Sequence, residues 1–275
     1  MRIELIAVDM DGTLLNPEES ISPEDAEALR DAAREGVSLA ICSGRMPEDV
    51  VRHTAEVGFD CWICGGNGCR VWEPQGKLVE EHMLDADTAL ACVEIAGRYE
   101  GRGLILYAFM GPDLAVSRLP GGEWFAQWRR TRENRGLSPI RVGTAALREA
   151  ASRGVHKMLI SYDEDMGVLA EAAALVRALP GAEVTSSWED NVEIMPVGIN
   201  KGAALAKLAG RLGVPRERVM AIGDQENDRQ MLLWAGCGVA MGNAPRRIKE
   251  ICRFVTLDNG HCGVAHAVRR RLLIR

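Results

Sequence analysis

The sequence predicts an α/β chain in two parts: a core with a parallel sheet, built from both ends of the chain, and an α+β unit inserted between them. Three observations predict it. Apolar runs alternate with helical stretches over residues 3–64 and again from residue 198 onward. Between about 83 and 190 that alternation gives way to helices followed by pairs of short strands. Finally, several apolar runs of the outer parts stop abruptly at an acid, a serine or a glycine, as strands do at the carboxyl ends of a parallel sheet.

The elements follow in order. Residues 3–8, IELIAV, form an apolar run that ends at Asp9 and read as a buried strand. Ser22-Pro23-Glu24-Asp25 is a helix start, with Ser22 as cap and Pro23 at the first position; the helix runs to about Arg34 and Gly36 ends it. Residues 37–41 are a second strand, 47–57 a helix and 61–64 a third short strand. Residues 71–72 and 77–79, joined by Glu73-Pro74-Gln75-Gly76, predict a hairpin beside it. In the insert, 87–99 reads as a helix, 104–109 and 114–117 as strands around Gly111-Pro112, and the arginine-rich stretch around Trp124 and Trp128 as a helix. A strand at 156–161, a helix at 165–179 and strands at 182–186 and 192–195 follow. The last part reads as helix 201–212, strand 219–222, helix 227–234, strand 238–241, helix 245–251, strand 254–256 and a helix from about Gly263. The expected division is a discontinuous core of residues 1–82 and 191–275 around an insert of 83–190.

Composition narrows the function. Lys+Arg is 33 against Asp+Glu 39, a formal charge of -6, which argues against a wide nucleic-acid or anionic-membrane surface while allowing a local pocket for a small anion. No run approaches the roughly 18 apolar residues of a membrane span. Glu4, Asp9 and Asp11 interrupt the region where a secretory leader needs unbroken apolar residues, so the expected location is the cytoplasm. Eight cysteines are too dilute for a disulfide-stapled scaffold. Cys61-Trp62-Ile63-Cys64, with Cys69 nearby, lacks a second pair at zinc spacing and sits in a strand-like run, so these read as buried thiols.

Three strand ends carry polar groups. Asp9-Met10-Asp11-Gly12-Thr13 puts two carboxylates around one turn, a costly arrangement unless they bind a cation or divide chemical labour. Ser43-Gly44-Arg45 offers a hydroxyl beside a glycine, suited to close approach of an anion. Gly223-Asp224-Gln225-Glu226-Asn227-Asp228 is a second acidic cluster. Lys201, one of only five lysines, opens a helix in the same half of the chain. So many acids in one pocket require a divalent cation, and oxygen-only ligands favour magnesium over zinc. Each residue alone also fits an ordinary helix cap or turn; the four features together do not.

Asp9-x-Asp11-Gly12-Thr13-Leu14, Ser43-Gly44-Arg45, Lys201-Gly202 and Gly223-Asp224-x-x-Asn227-Asp228 resemble the four motifs of the haloacid dehalogenase (HAD) superfamily. Their order, the large insert after the second, the Asn67-Gly68 step and Glu193-Ile194-Met195-Pro196 before the lysine are most similar to its Cof-type phosphatases. Gly65-Gly66-Asn67-Gly68 departs from the serine- or threonine-led form of that step. The resemblance implies a Rossmann-like core with a parallel sheet, an inserted α+β cap with an antiparallel sheet that closes over the mouth, and Mg2+ as cofactor. It implies Asp9 as nucleophile, Asp11 as general acid and base, and Ser43, Gly44, Lys201 and Asn227 as phosphate-binding groups. Magnesium would be held by Asp9, Asp224, the Asp11 backbone carbonyl and Asp228. Dehalogenases of the superfamily lack the second aspartate, because halide leaves without a proton, so Asp11 points to phosphate esters.

Arg45, Asn67 and Trp188 are further pocket candidates. Arg45 also fits a structural ion pair, Trp124 and Trp128 a packed helix side, and the arginines at 129–135 a solvated face. His261 and His266 read as structural. The expected partner is a small phosphorylated metabolite, a sugar phosphate first and a phosphorylated cofactor such as a flavin or pyridoxal phosphate second, with no nucleic acid or membrane; oligomeric state stays open. A phosphomutase uses the same core, and a phospho-accepting switch would need neither Asp11 nor a lid.

Overall fold

A computed structural model describes residues 2–134, 136–162 and 166–272, without the side chains of Glu56, Val57, Trp124, Thr131, Met166 and Leu272. Strand β1 (Leu5–Val8) is buried along its whole length, and helix α1 (Pro23–Arg34) returns the chain to β2 (Ser38–Cys42), parallel to β1. Ser22 caps α1 as its position predicts: the hydroxyl accepts from the Asp25 N–H at 3.0 Å. Helix α2 (Pro47–Val57) ends on Gly58 in the left-handed region at φ 68°, and β3 (Trp62–Gly65) follows. Strands β4 (Arg70–Trp72) and β5 (Leu78–Glu81) form the expected antiparallel hairpin at the sheet edge.

The insert contains α3 (Ala86–Gly97), β6 (Leu104–Met110), β7 (Asp113–Val116), α4 (Glu123–Asn134), β8 (Arg141–Val142), α5 (Thr144–Arg153), β9 (Lys157–Tyr162), α6 (Met166–Arg177), β10 (Ala182–Thr185) and β11 (Asn191–Pro196). The chain then returns through α7 (Lys201–Leu212), β12 (Val219–Gly223), α8 (Arg229–Trp234), β13 (Cys237–Ala240), α9 (Arg246–Lys249), β14 (Phe254–Val255) and α10 (Gly263–Leu272).

The first unit, Met1–Glu81 with Ile199–Arg275, is an eight-stranded sheet in the order β14-β13-β12-β1-β2-β3-β4-β5, parallel from β14 to β3, with β4 antiparallel to both β3 and β5. Period-2 alternation divides its core. Ile6, Val8, Leu39, Ile41, Met220 and Ile222 pack with α1 and α10, while Leu5, Ala7, Ala40, Val219 and Ala221 pack with α7 and α8. A sheet covered on both faces leaves its strand ends as the place for polar groups.

The second unit, His82–Gly198, is a six-stranded sheet in the order β10-β11-β9-β6-β7-β8, antiparallel apart from the short β7–β8 pair. Leu106, Ala108, Met158, Ile160, Val192 and Ile194 share one core cluster with residues of α3, α5 and α6. Lys157 and Glu193, both nearly inaccessible, form an ion pair at 2.6 Å, and the Lys157 ammonium lies 5.2 Å from the centre of the Phe109 ring.

Two sequence expectations change. The return to the core falls after Gly198, not at 190, because β11 pairs antiparallel with both β9 and β10 and so belongs to the insert. Helix α5 was not anticipated, although Leu147, Ala150 and Ala151 give it a buried stripe at helical spacing. In α4, Trp128 packs on Phe125, with ring centres 5.5 Å apart; the side chain of Trp124 and residue Arg135 lie outside the described residues.

Candidate active site

Asp224, Asp9 and Ser43 directly follow the adjacent strands β12, β1 and β2, so the sheet itself gathers these groups. Asp9 is 4% exposed and its N–H donates to Ile222 O at 2.9 Å, continuing the strand pairing into the loop. Helix α7 starts beside them. Asn200 caps it by accepting the Ala203 N–H at 2.9 Å, and a Cβ on Gly202 would stand 2.7 Å from the backbone of Gln230, so α7 lies close against α8. That placement puts Lys201, 0% exposed, 2.5 Å from Asp9 Oδ1 and 2.6 Å from Asp228 Oδ1. Burial alone would drive the ammonium to lose its proton, but Asp228 and Asp9 outweigh burial and hold its pKa above the ordinary value.

Asp228 organises the loop around it. Its Oδ2 accepts the N–H groups of Asp224 and Gln225, each at 2.9 Å, while Oδ1 faces Lys201. Asp224 Oδ1 accepts from the Thr13 hydroxyl at 2.9 Å. Gly12, at φ 78°, makes this approach possible: a Cβ there would stand 2.5 Å from Asp224 Oδ2.

Asp9, Asp224 and Asp228 each offer an oxygen within 4.8 Å of the other two, and all three are buried. Three carboxylates face one ammonium, an excess of two negative charges that a divalent cation offsets. In the protein alone the imbalance shows as proton affinity. Burial, then the Asp228 charge, raises Asp9 well above the usual carboxylate range and lifts Asp224 to about 7. The residues therefore fit a divalent cation, and their all-oxygen donor set suits Mg2+.

On the next strand end, Ser43 is fully buried, and its Oγ accepts the Arg45 N–H at 3.1 Å, which leaves the hydroxyl proton available to an anion. Gly44 lies between them in the same loop. Arg45 turns toward Asp11: Nε is 3.0 Å and 2.9 Å from the two carboxylate oxygens, and Nη2 is 2.5 Å from Oδ1. The Asp11 side chain thus stands outside the three-aspartate cluster and is held by an arginine fork. Asn67 and Asn227, both buried, meet amide to amide at 3.3 Å. Trp188 belongs to the other unit, in the connection between β10 and β11, and is 53% exposed. Cys61, Cys64 and Cys69 are buried, and burial lifts the Cys61 thiol to about 12, which suits packing.

Asn243 was missed by sequence reasoning. It follows β13, its Nδ2 donates to Gly12 O at 2.8 Å and to Asp224 Oδ2 at 3.4 Å, and its Oδ1 accepts the Asn259 N–H at 3.2 Å. The signal was present: the rule that polar residues follow parallel strands applies to Gly242-Asn243 as it does to Asp9.

This arrangement, a buried lysine between aspartates at the carboxyl ends of a parallel sheet, can hold a divalent cation and an anionic ligand side by side. The model of the haloacid dehalogenase-like hydrolases matches residues 6–268, and the chain belongs to that family. Within it the chain closely resembles the Cof-type phosphatases and is a phosphatase. It is 32% identical to the 5-amino-6-(5-phospho-D-ribitylamino)uracil phosphatase YcsE of Bacillus subtilis (strain 168), over 98% of this chain and 96% of the relative. It is 31% identical to the pyridoxal phosphate phosphatase YbhA of Escherichia coli (strain K12), over 99% of this chain and 100% of the relative. The solved structure of a haloacid dehalogenase-like hydrolase from B. subtilis superposes with a TM-score of 0.81 at 29% identity, covering 97% of this chain and 99% of that one. No helix among the described residues is long and apolar enough to cross a membrane.

Proposed function

We propose that the chain is a Mg2+-dependent phosphomonoester hydrolase that acts through an aspartyl-phosphate on Asp9, with a small phosphorylated metabolite, a sugar phosphate first, as substrate. One observation carries the reading: fully buried Lys201 lies 2.5 Å from Asp9 in a cluster where Asp224 and Asp228 complete a cation-binding set. The relatives act on phosphate esters of unlike leaving groups, which supports the ester class and leaves the alcohol to this chain's own insert.

In this reading the Asp9 carboxylate attacks phosphorus and the bond from phosphorus to the substrate oxygen breaks. Asp11, oriented by Arg45, gives its proton to the leaving oxygen and then takes one from the water that attacks the acyl phosphate, releasing inorganic phosphate and restoring Asp9. The Ser43 hydroxyl, the Gly44 backbone and the Asn227 amide bind phosphoryl oxygens, and Lys201 offsets the charge that grows on them. Mg2+, held by Asp9, Asp224, Asp228 and the Asp11 carbonyl, supplies further neutralisation of phosphoryl charge when bound. Leaving-group selection is assigned to the insert.

The test is a panel of phosphate esters ranked by kcat/KM, with Mg2+ and with EDTA. The reading expects free phosphate, metal dependence and sugar phosphates at the head of the ranking. Turnover in EDTA would contradict it, as would a phosphorylated product without free phosphate, which would mark a mutase.

A further inference from the structure

Asn67 occupies a backbone conformation that glycine adopts more easily. Its φ is 57° and ψ 28°, between Gly66 at φ 59° and Gly68 at φ 100°. A side chain in the left-handed region carries a conformational cost, and asparagine tolerates it best among the non-glycine residues. Here the side chain is 1% exposed and accepts from Asn227 Nδ2 at 3.3 Å. The other end of the Asn227 amide, Oδ1, is buried with no hydrogen-bond partner among the described residues, so the contact with Asn67 fixes the plane of this amide.

The backbone of the same turn ties down its neighbours. The Asn67 N–H donates to Ser43 O at 2.8 Å, and the Gly66 N–H donates to Arg45 O at 2.8 Å, so the loop after β2 is stitched to the loop after β3. A Cβ on Gly68 would stand 2.7 Å from Ala204 Cβ and 3.0 Å from Asn200 O, which sets the turn directly on the first turn of α7, where Lys201 begins. One residue therefore touches the serine loop with its backbone and the acidic loop with its side chain.

We propose that Asn67 is a positioning residue for phosphoryl transfer, its amide holding Asn227 and its backbone holding the Ser43 loop in a single arrangement. This rests on the phosphatase reading above. The left-handed backbone is what lets both contacts be made at once: the turn brings the N–H back to Ser43 while directing the side chain to Asn227.

The test is Asn67→Gly, which keeps the left-handed backbone and removes only the amide. With p-nitrophenyl phosphate and Mg2+, the expected result is an unchanged melting temperature, a KM within about threefold of the unaltered protein and a kcat lower by roughly 10- to 100-fold. In a double-mutant cycle Asn67→Gly is expected to add little to Asn227→Ala, because without the Asn227 amide the Asn67 side chain has nothing left to position. An undiminished kcat in Asn67→Gly overturns the proposal, as do losses that multiply independently in the double variant. A variant that loses its melting transition together with activity assigns Asn67 to folding alone and overturns it too. The unaltered protein runs alongside: no phosphate release there defeats the activity itself, whereas release there with an equally active Asn67→Gly defeats only the role of Asn67.

Discussion

Arg45 grips Asp11 edge-on, with Nε within 3.0 Å of both carboxylate oxygens and Nη2 at 2.5 Å. A planar fork fixes the orientation of a carboxylate in a way a single ammonium does not. Arg45→Ala is therefore expected to lower kcat about 10- to 100-fold on an alkyl phosphate, with Arg45→Lys recovering little of it. The loss should shrink on p-nitrophenyl phosphate, whose phenolate leaves with little protonation. Equal losses on the two esters would separate Arg45 from the proton-transfer step.

Gly12 bears on the cation site directly, since a Cβ there would meet Asp224 Oδ2 at 2.5 Å while φ stays at 78°. Gly12→Ala is expected to cost roughly 1–3 kcal/mol of stability and to weaken Mg2+ binding. Calorimetric titration with MgCl2 reads the second effect without any substrate; an unchanged affinity would show that Asp224 can give way.

The charge imbalance sets a pH dependence. Asp224 rises to about 7 in the folded protein from an ordinary value of 3.8, and burial raises Asp9 as well. Between those values the folded state binds protons that the unfolded chain releases, so the stability of the metal-free protein falls as pH rises from about 4 toward 7. Mg2+ competes with those protons and stabilises most where they are gone. Melting curves at pH 5.5 and pH 8, with EDTA and with about ten times the dissociation constant of Mg2+, should show a rise of a few degrees at pH 8 and a smaller one at pH 5.5. A metal effect larger at the lower pH would contradict the assignment.

In the insert, Lys157→Met removes the ammonium from a nearly inaccessible pair and leaves Glu193 facing an apolar side chain. The expected loss is about 3–5 kcal/mol, read by urea unfolding, with much of it recovered by changing Glu193→Leu as well. Additive losses would show that the two residues act separately.

The core was legible where the polypeptide obeys short-range rules. Val219 and Lys201 begin their elements where the reading placed them, because β12 starts an apolar run and Asn200 caps α7. Asp9, Ser43 and Asp224 declared themselves as polar residues after apolar runs, and parallel pairing of β12, β1 and β2 brings them together. Partnerships between distant residues were not legible. Arg45 with Asp11 and Asn243 with Gly12 depend on strand order, and no local spacing records that order. The return boundary was displaced for a similar reason: β11 reads like any buried strand, and only its pairing with β9 and β10 assigns it to the insert.

The central claim is that Asp9 is the nucleophile of a metal-dependent phosphatase, and phosphate release by Asp9→Asn tests it most directly. The substitution keeps the shape of the side chain beside Lys201, and circular dichroism can confirm the fold. The account predicts that turnover falls by at least about 10^4-fold in the folded variant with saturating Mg2+. Turnover within tenfold of the unaltered protein would contradict it.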